Sequence, residues 1–296
     1  MVVPVESSVP RHDIPIAGRS GFVLVEDRQV HYLEWGRAGA APVICLHGGG
    51  QTAYMWEGLG AALGATHHVL APDLPMHGDS DPVGEMSRQA LAATVPPLLA
   101  EFGFERAVFV GASLGGLVSM TVTAAHSELV RGIVLVDIAT RLEDKGVERI
   151  VEFMRAHDSF SDLEEAAGAI GAYLPQRKQS DPSRLTRNLR QRSDGRWEWK
   201  HGYNRALRDG GDLADGGGWR QLVGDLAEDA VKFTCPVLVL RGAASEVLSS
   251  AGAEEIVGLI PDARLATIAA AGHHAAGDNP ESTVGLVTSF LADIAW

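Results

Sequence analysis

From residue 21 onward, apolar residues gather in short runs at 21–26, 29–35, 43–46, 68–71, 107–110 and 133–136. The runs from Val43 onward have continuous apolar centres, the pattern of strands buried on both faces of a parallel sheet. The stretches between them at 54–63, 87–102 and 117–126 are helix-length, so right-handed strand–helix–strand crossovers follow. The alternation resumes late in the chain, with strands at 236–240 and 264–268 and helices at 254–259 and 282–295. After Asp137 the pattern is different. Residues 143–156 and 163–173 read as helices, and 175–218 is polar, arginine-rich and glycine-rich, with no buried strand visible. An insertion of about 90 residues suits a cap more than a loop. The expected organisation is a core of residues 1–137 and 231–296, interrupted at 138–230 by a helical cap.

Composition narrows the possible partners. With 46% apolar residues, a 296-residue chain can bury a sizeable core. The formal charge of −13 is spread without a block of like charge, which argues against nucleic acid or an anionic membrane as partner. No run approaches the roughly 20 apolar residues that span a bilayer, and the opening MVVPVESSVPRHDIP lacks a cationic region followed by an apolar one. A cytoplasmic location is expected. Cys45 and Cys235 are too few for a disulfide framework or a zinc site and read as buried free thiols. His67 and His68 begin a strand without carboxylate or cysteine at ligand spacing, so neither a metal nor another cofactor is expected.

The chemistry concentrates in a few segments. AVFVGASLGG places Ser113 inside Gly-x-Ser-x-Gly, between a strand-like run and a helix-forming stretch. A tight strand-to-helix turn holds such a serine in a strained conformation, and the small Gly111, Ala112 and Gly115 leave room for it. The serine then stands clear of the sheet, and the N–H of Leu114 points into the same space. A serine needs a base, and AAAGHHAAGDNPE supplies His273, with His274 its rival; Gly272 favours the first. The base needs an orienting carboxylate at a strand end. Glu246, after CPVLVLRGAAS, is preferred, and Asp137, at the end of GIVLV, is the alternative. VICLHGGGQT offers a second oxyanion donor at Gly49, with Gly50 beside it and His47 as loop anchor. This glycine run lacks the lysine and Ser/Thr of a phosphate-binding loop.

LHGGG, APDLPMHGDSD, GASLGG, LRGAASE and AGHH, in that order, resemble the α/β-hydrolase family with an inserted cap, from residue 21 to the C-terminus. The resemblance implies a mostly parallel eight-stranded sheet flanked by helices, with a mainly helical cap. Two positions depart from the family pattern: Met76 stands where a glycine is usual, and Glu246 where an aspartate is usual. Members that attack sp³ carbon use an aspartate, so Ser113 points to carbonyl carbon. The expected activity is hydrolysis of a small to medium apolar carboxylic ester, thioester or lactone, a small-molecule substrate. A carbon–carbon hydrolase or perhydrolase and a non-catalytic ligand-binding protein of the same fold are the alternatives.

Gly50, Met76, Trp197 and Trp199 are the candidate substrate-facing residues. Trp197, Trp199, His201 and Tyr203 recur at a spacing of two, which suggests one face of an extended segment, serving as a pocket wall or as cap packing. Arg177, Lys178, Arg184, Arg187, Arg190 and Arg192 would attract an anionic acid or coenzyme A, or form a solvated face.

Overall fold

The computed structural model describes residues 18–84, 87–175, 177, 181–202 and 223–296. Its main sheet comprises β1 (Arg19–Val25), β2 (Arg28–Trp35), β3 (Ala41–Leu46), β4 (His67–Pro72), β5 (Ala107–Ala112), β6 (Val130–Val136), β10 (Val237–Gly242) and β11 (Ala263–Ile268). The strands lie in the order β1-β2-β4-β3-β5-β6-β10-β11. β2 pairs antiparallel with both β1 and β4, and every other pairing is parallel.

The continuous apolar runs are explained by two cores, one on each face of the sheet. Along β5, Phe109 packs into one core while Val108 and Val110 pack into the other; along β3, Ile44 and Leu46 part in the same way from Val43 and Cys45. Successive side chains of a strand point to opposite faces, so a strand covered on both sides has no polar position to spare. One face is covered by α2 (Arg88–Ala93), α3 (Val95–Glu101) and α4 (Leu114–Ala125). The other is covered by α1 (Glu57–Leu63) and the C-terminal helix Pro280–Ala292. The stretch 87–102, expected as one helix, is divided at Thr94. Pro96 and Pro97 lack the N–H a helix interior needs and are accommodated in the first turn of a new helix.

Between β6 and β10 the described elements are α5 (Asp144–Ala156), β7 (Ser159–Phe160), α6 (Leu163–Tyr173), a 3-10 helix Pro182–Arg187, β8 (Leu189–Gln191), β9 (Trp197–Trp199) and a short helix Leu226–Ala230. β7, β9 and β8 form an antiparallel three-stranded sheet that the sequence does not announce. Its strands are only two or three residues long, too short to leave a periodic signal. Phe160, Ala166 and Leu189 make a small separate core there. Ion pairs tie this region to the sheet domain: Arg184 and Arg187 to Glu57 (2.9 and 2.7 Å), Lys200 to Asp79 (2.9 Å) and Arg149 to Glu246 (2.6 Å). Among the described residues, no helix is long and apolar enough to cross a membrane. Cys45 and Cys235 are buried free thiols.

Candidate active site

The carboxyl ends of β3, β5, β6 and β10 meet along one edge of the sheet, where open α/β folds place their sites. Ser113 follows β5 directly, at φ 47° and ψ −115°. Only a very close approach of strand and helix permits this turn. A Cβ at Gly115 would lie 2.1 Å from the Leu46 carbonyl oxygen, and one at Gly111 would lie 2.5 Å from that of Gly115. The glycines of the motif are therefore steric requirements, and the strain they permit sits on the serine.

His273 lies in the loop after β11, held there by Gly272 N–H donating to Asp278 (2.9 Å). Its Nε2 is 3.2 Å from Ser113 Oγ and its Nδ1 is 2.9 Å from Asp137 Oδ2. Asp137 is fully buried, with φ 53°, at the end of β6. Its Oδ1 accepts the Gly242 N–H (2.8 Å) and its Oδ2 also accepts the Ser245 hydroxyl (2.5 Å).

The structure thus brings together Ser113, His273 and Asp137, and it leaves out Glu246, the acid preferred from sequence. Glu246 turns outward, its side chain 64% exposed and bonded to Arg149 at 2.6 Å. The physical reason is local. Ser245 points inward to Asp137, and its neighbour points the opposite way, to the helix α5 that packs over the loop.

Gly49 and Leu114 border the same space as Ser113. Among the described residues, neither N–H has a hydrogen-bond acceptor; that of Leu114 opens a helix, where the first amides have no partner in the helix itself. The loop carrying Gly49 is anchored by His47, whose Nδ1–H donates to the Gly48 carbonyl (2.8 Å) while Nε2 accepts the Leu74 N–H (2.8 Å). Both ring nitrogens are consumed, which fixes the neutral tautomer, and burial pulls the imidazole below its usual range. Gln51 closes the loop by accepting the Gly48 N–H at 3.2 Å.

A cavity of about 130 Å³ opens over Ser113. Its roof is one face of α5: Val147, Ile150, Val151 and Met154, at spacings of three, four and seven. Met55, Leu117, Ile138 and Val247 are among the apolar residues of its wall, and Gln51 and His274 add polar atoms. The sequence reading missed Gln51, Ser245 and the α5 stripe, although the helical spacing of the stripe was visible. His274 is kept neutral. Burial first, then the neighbouring His273 ring and the Arg177 guanidinium, pull it down to about 3.

None of the four substrate-facing candidates, Gly50, Met76, Trp197 and Trp199, lines this cavity. Gly50, at φ 74°, abuts Met154 and His201. Met76, at φ 65°, packs on Gly202 and accepts its N–H at 2.8 Å. Trp197 and Trp199 join the small core of the insertion; Trp199 stands edge-on to Phe160 and donates its Nε1–H to the His157 carbonyl (3.0 Å). The reason is shared: β9 is sandwiched between β7 and β8, so its aromatics fill the space beneath that sheet. Of the basic residues, Arg184, Arg187, Arg190 and Arg192 pair with Glu57, Glu198 and Asp194. Lys178 and Tyr203 lie outside the described residues.

Among the described residues, one group of candidate metal ligands exists, His31, Asp73 and Asp79, with ligand atoms within 4.8 Å of one another. Its side chains already have partners: Asp73 accepts His31 Nδ1–H (2.7 Å) and the N–H groups of Ala53 and Asp79 (2.7 and 3.0 Å), and Asp79 pairs with Lys200. Burial alone would raise the Asp73 carboxyl, but these donors, His31 first, draw it down to about 2.

A model of the alpha/beta hydrolase fold family matches residues 41–196. The chain belongs to that family. An α/β hydrolase with this site has relatives along most of its length. It is 29% identical to the esterase Rv0045c of Mycobacterium tuberculosis, over 90% of this chain and 88% of the relative. It is 28% identical to 2-(acetamidomethylene)succinate hydrolase of Mesorhizobium japonicum, over 86% of this chain and 89% of the relative. A crystal structure of Rv0045c superposes with a TM-score of 0.73 at 26% identity, covering 94% and 93% of the two chains. One of E-2-(acetamidomethylene)succinate hydrolase superposes with a TM-score of 0.81 at 23% identity, covering 93% and 99%, a likeness of fold. These relatives support an esterase-like hydrolase function for this α/β hydrolase.

Proposed function

We propose that this chain is a serine hydrolase that cleaves a small to medium apolar carboxylic ester, thioester or lactone through an acyl-enzyme. The observation that carries the reading is the unbroken line from Ser113 Oγ to His273 Nε2 (3.2 Å) and from His273 Nδ1 to Asp137 Oδ2 (2.9 Å), at the floor of an apolar cavity.

Ser113 attacks the carbonyl carbon as its proton passes to His273 Nε2. Asp137 holds the ring so that Nδ1 carries a hydrogen and Nε2 is free to accept. The negative oxygen of the tetrahedral intermediate is taken up by the N–H groups of Gly49 and Leu114, which border the same space and have no acceptor among the described residues. Collapse expels the alcohol, thiol or ring oxygen, which takes the proton from His273 and leaves Ser113 acylated. Water then attacks the acyl carbon, giving a proton to His273 as its oxygen bonds. Departure of Ser113 Oγ, reprotonated by the same imidazole, releases the acid.

The α5 stripe of Val147, Ile150, Val151 and Met154 supports an apolar acyl or alcohol group. Among the described residues the lining holds no lysine or arginine, which favours an uncharged substrate. With p-nitrophenyl butyrate, stopped-flow mixing is expected to give a burst of one p-nitrophenol per chain if deacylation limits turnover, and hydrolysis is expected to vanish in Ser113→Ala. Full hydrolysis by Ser113→Ala contradicts the reading.

A further inference from the structure

Ser245 lies in the loop after β10, one residue before Glu246, the acid expected from sequence, and its hydroxyl hydrogen has one partner. A hydroxyl offers one hydrogen and two lone pairs. Here the N–H groups of Val247 and Leu248 donate to Ser245 Oγ, at 3.2 and 3.1 Å. With its acceptor capacity filled, the hydrogen is left for Asp137 Oδ2, 2.5 Å away, the short distance of a hydroxyl on a carboxylate. That oxygen is the one facing His273 Nδ1.

Asp137 is therefore gripped by three donors: Gly242 N–H on Oδ1, and Ser245 O–H and His273 N–H on Oδ2. Among the described residues, Ser245 is the one side chain other than His273 that holds it. The loop is itself fixed against its surroundings. Ser245 N–H closes a turn onto the Gly242 carbonyl (3.0 Å), and Ala244 N–H binds the Ala271 carbonyl (2.8 Å), two residues before His273. A Cβ on Gly242 would come within 2.2 Å of the Gly272 carbonyl oxygen, so the acid loop and the histidine loop are in direct backbone contact. One short turn thus fixes the carboxylate from one side and the imidazole loop from the other.

We propose that Ser245 is a positioning residue for the triad, its hydroxyl fixing the rotation of the Asp137 carboxylate so that Oδ2 presents to His273. This rests on the triad reading above. The loop that supplies a carboxylate in the sequence-based reading supplies instead a hydroxyl to a carboxylate on the neighbouring strand. Ser245 does not itself border the cavity, although Val247, whose N–H it accepts, does; its direct route to the reaction is through Asp137, so the loss is expected to fall on kcat more than on KM.

The test measures kcat and KM of Ser245→Ala and Ser245→Thr on p-nitrophenyl butyrate, with thermal melts of each. Removing the hydroxyl is expected to lower kcat about 10- to 100-fold, the scale on which outer partners of an active group act, with KM within about twofold. Threonine, which keeps the hydroxyl, is expected to restore most of kcat. Fluorophosphonate labelling of Ser113 should slow in step with kcat. Should Ser245→Ala not fold, Ser245→Cys keeps the size with a weaker donor, and is expected to lose kcat at unchanged KM. Wild-type kcat in whichever of the alanine and cysteine variants folds, or equal losses in alanine and threonine, overturns the proposal while Ser113→Ala remains inactive. Activity surviving in Ser113→Ala overturns the triad reading and this proposal with it.

Discussion

His273 Nδ1 faces Asp137 Oδ2 at 2.9 Å, while the Glu246 carboxylate, on the loop beside it, lies 2.6 Å from Arg149 on the outer side. On the proposed mechanism the two carboxylates have different consequences. Asp137→Asn is expected to lower kcat by about 10³- to 10⁴-fold, because an amide no longer selects the tautomer that leaves Nε2 free. Glu246→Gln is expected to stay within about threefold of wild type, since it loses only an exposed ion pair of the kind worth under about 1 kcal/mol. Steady-state kinetics of both variants, with circular dichroism to check folding, decides the matter. The reverse ranking would restore Glu246 as the acid.

The roof of the cavity sets the size of the substrate. Ile150→Trp, on the face of α5 that lines the cavity, is expected to fill it. The ratio of kcat/KM for an octanoyl over an acetyl p-nitrophenyl ester should then fall by about tenfold or more, since a few lost methylene contacts are each worth about 0.8 kcal/mol. An unchanged chain-length profile would mean that the acyl group lies elsewhere.

The elbow predicts a stability effect independent of chemistry. A Cβ at Gly115 meets the backbone of β3 at Leu46, which has no flexible end to move aside. Gly115→Ala is expected to cost about 1–3 kcal/mol in urea denaturation. Gly258, where a Cβ would meet no atom within 4 Å, should accept alanine without loss. Equal effects at the two glycines would contradict the close approach of helix and strand.

His274 ties stability to pH. Its imidazole titrates near 6.5 when unfolded and at about 3 in the folded chain, where burial and the neighbouring His273 ring and Arg177 guanidinium oppose protonation. The unfolded chain therefore binds more protons between these values. The stability from this group is complete above pH 6.5 and is lost as pH falls toward 3, by about 1.4 kcal/mol per unit at the steepest. Urea midpoints at pH 7.5 and 5.5 should differ less in His274→Gln than in wild type. His201, drawn down to about 4 chiefly by burial, adds a slope of the same sign that the variant retains. An identical slope in the two proteins would contradict a neutral His274.

Much of the fold was legible because the parallel strands are buried on both sides: Val108 to Val110 and Val43 to Leu46 leave no polar residue to confuse the pattern. The elbow was legible for a related reason, since only small residues fit between Leu46 and α4. The acid was not. Asp137 and Glu246 each follow a strand on the same edge, and their difference lies in which way a side chain turns, decided by Ser245 pointing inward and by α5 closing on the loop. The helix break at Thr94 has its sequence signal in Pro96 and Pro97, which the helical length of 87–102 masks. The role of Trp197 and Trp199 could not be read from their spacing, because alternation identifies a strand face without saying what it meets. In the fold that face meets Phe160 and Leu189 and not the cavity.

Ser113 as the activated nucleophile is the step on which the rest of the proposed cycle depends. Intact-protein mass spectrometry after exposure to a fluorophosphonate, followed by peptide mapping, tests it most directly. A single phosphonyl adduct is expected on the peptide containing Ser113, with loss of esterase activity in proportion to labelling and no adduct in Ser113→Ala. Native, folded protein that hydrolyses esters without labelling at Ser113, or that labels equally in Ser113→Ala, would contradict it.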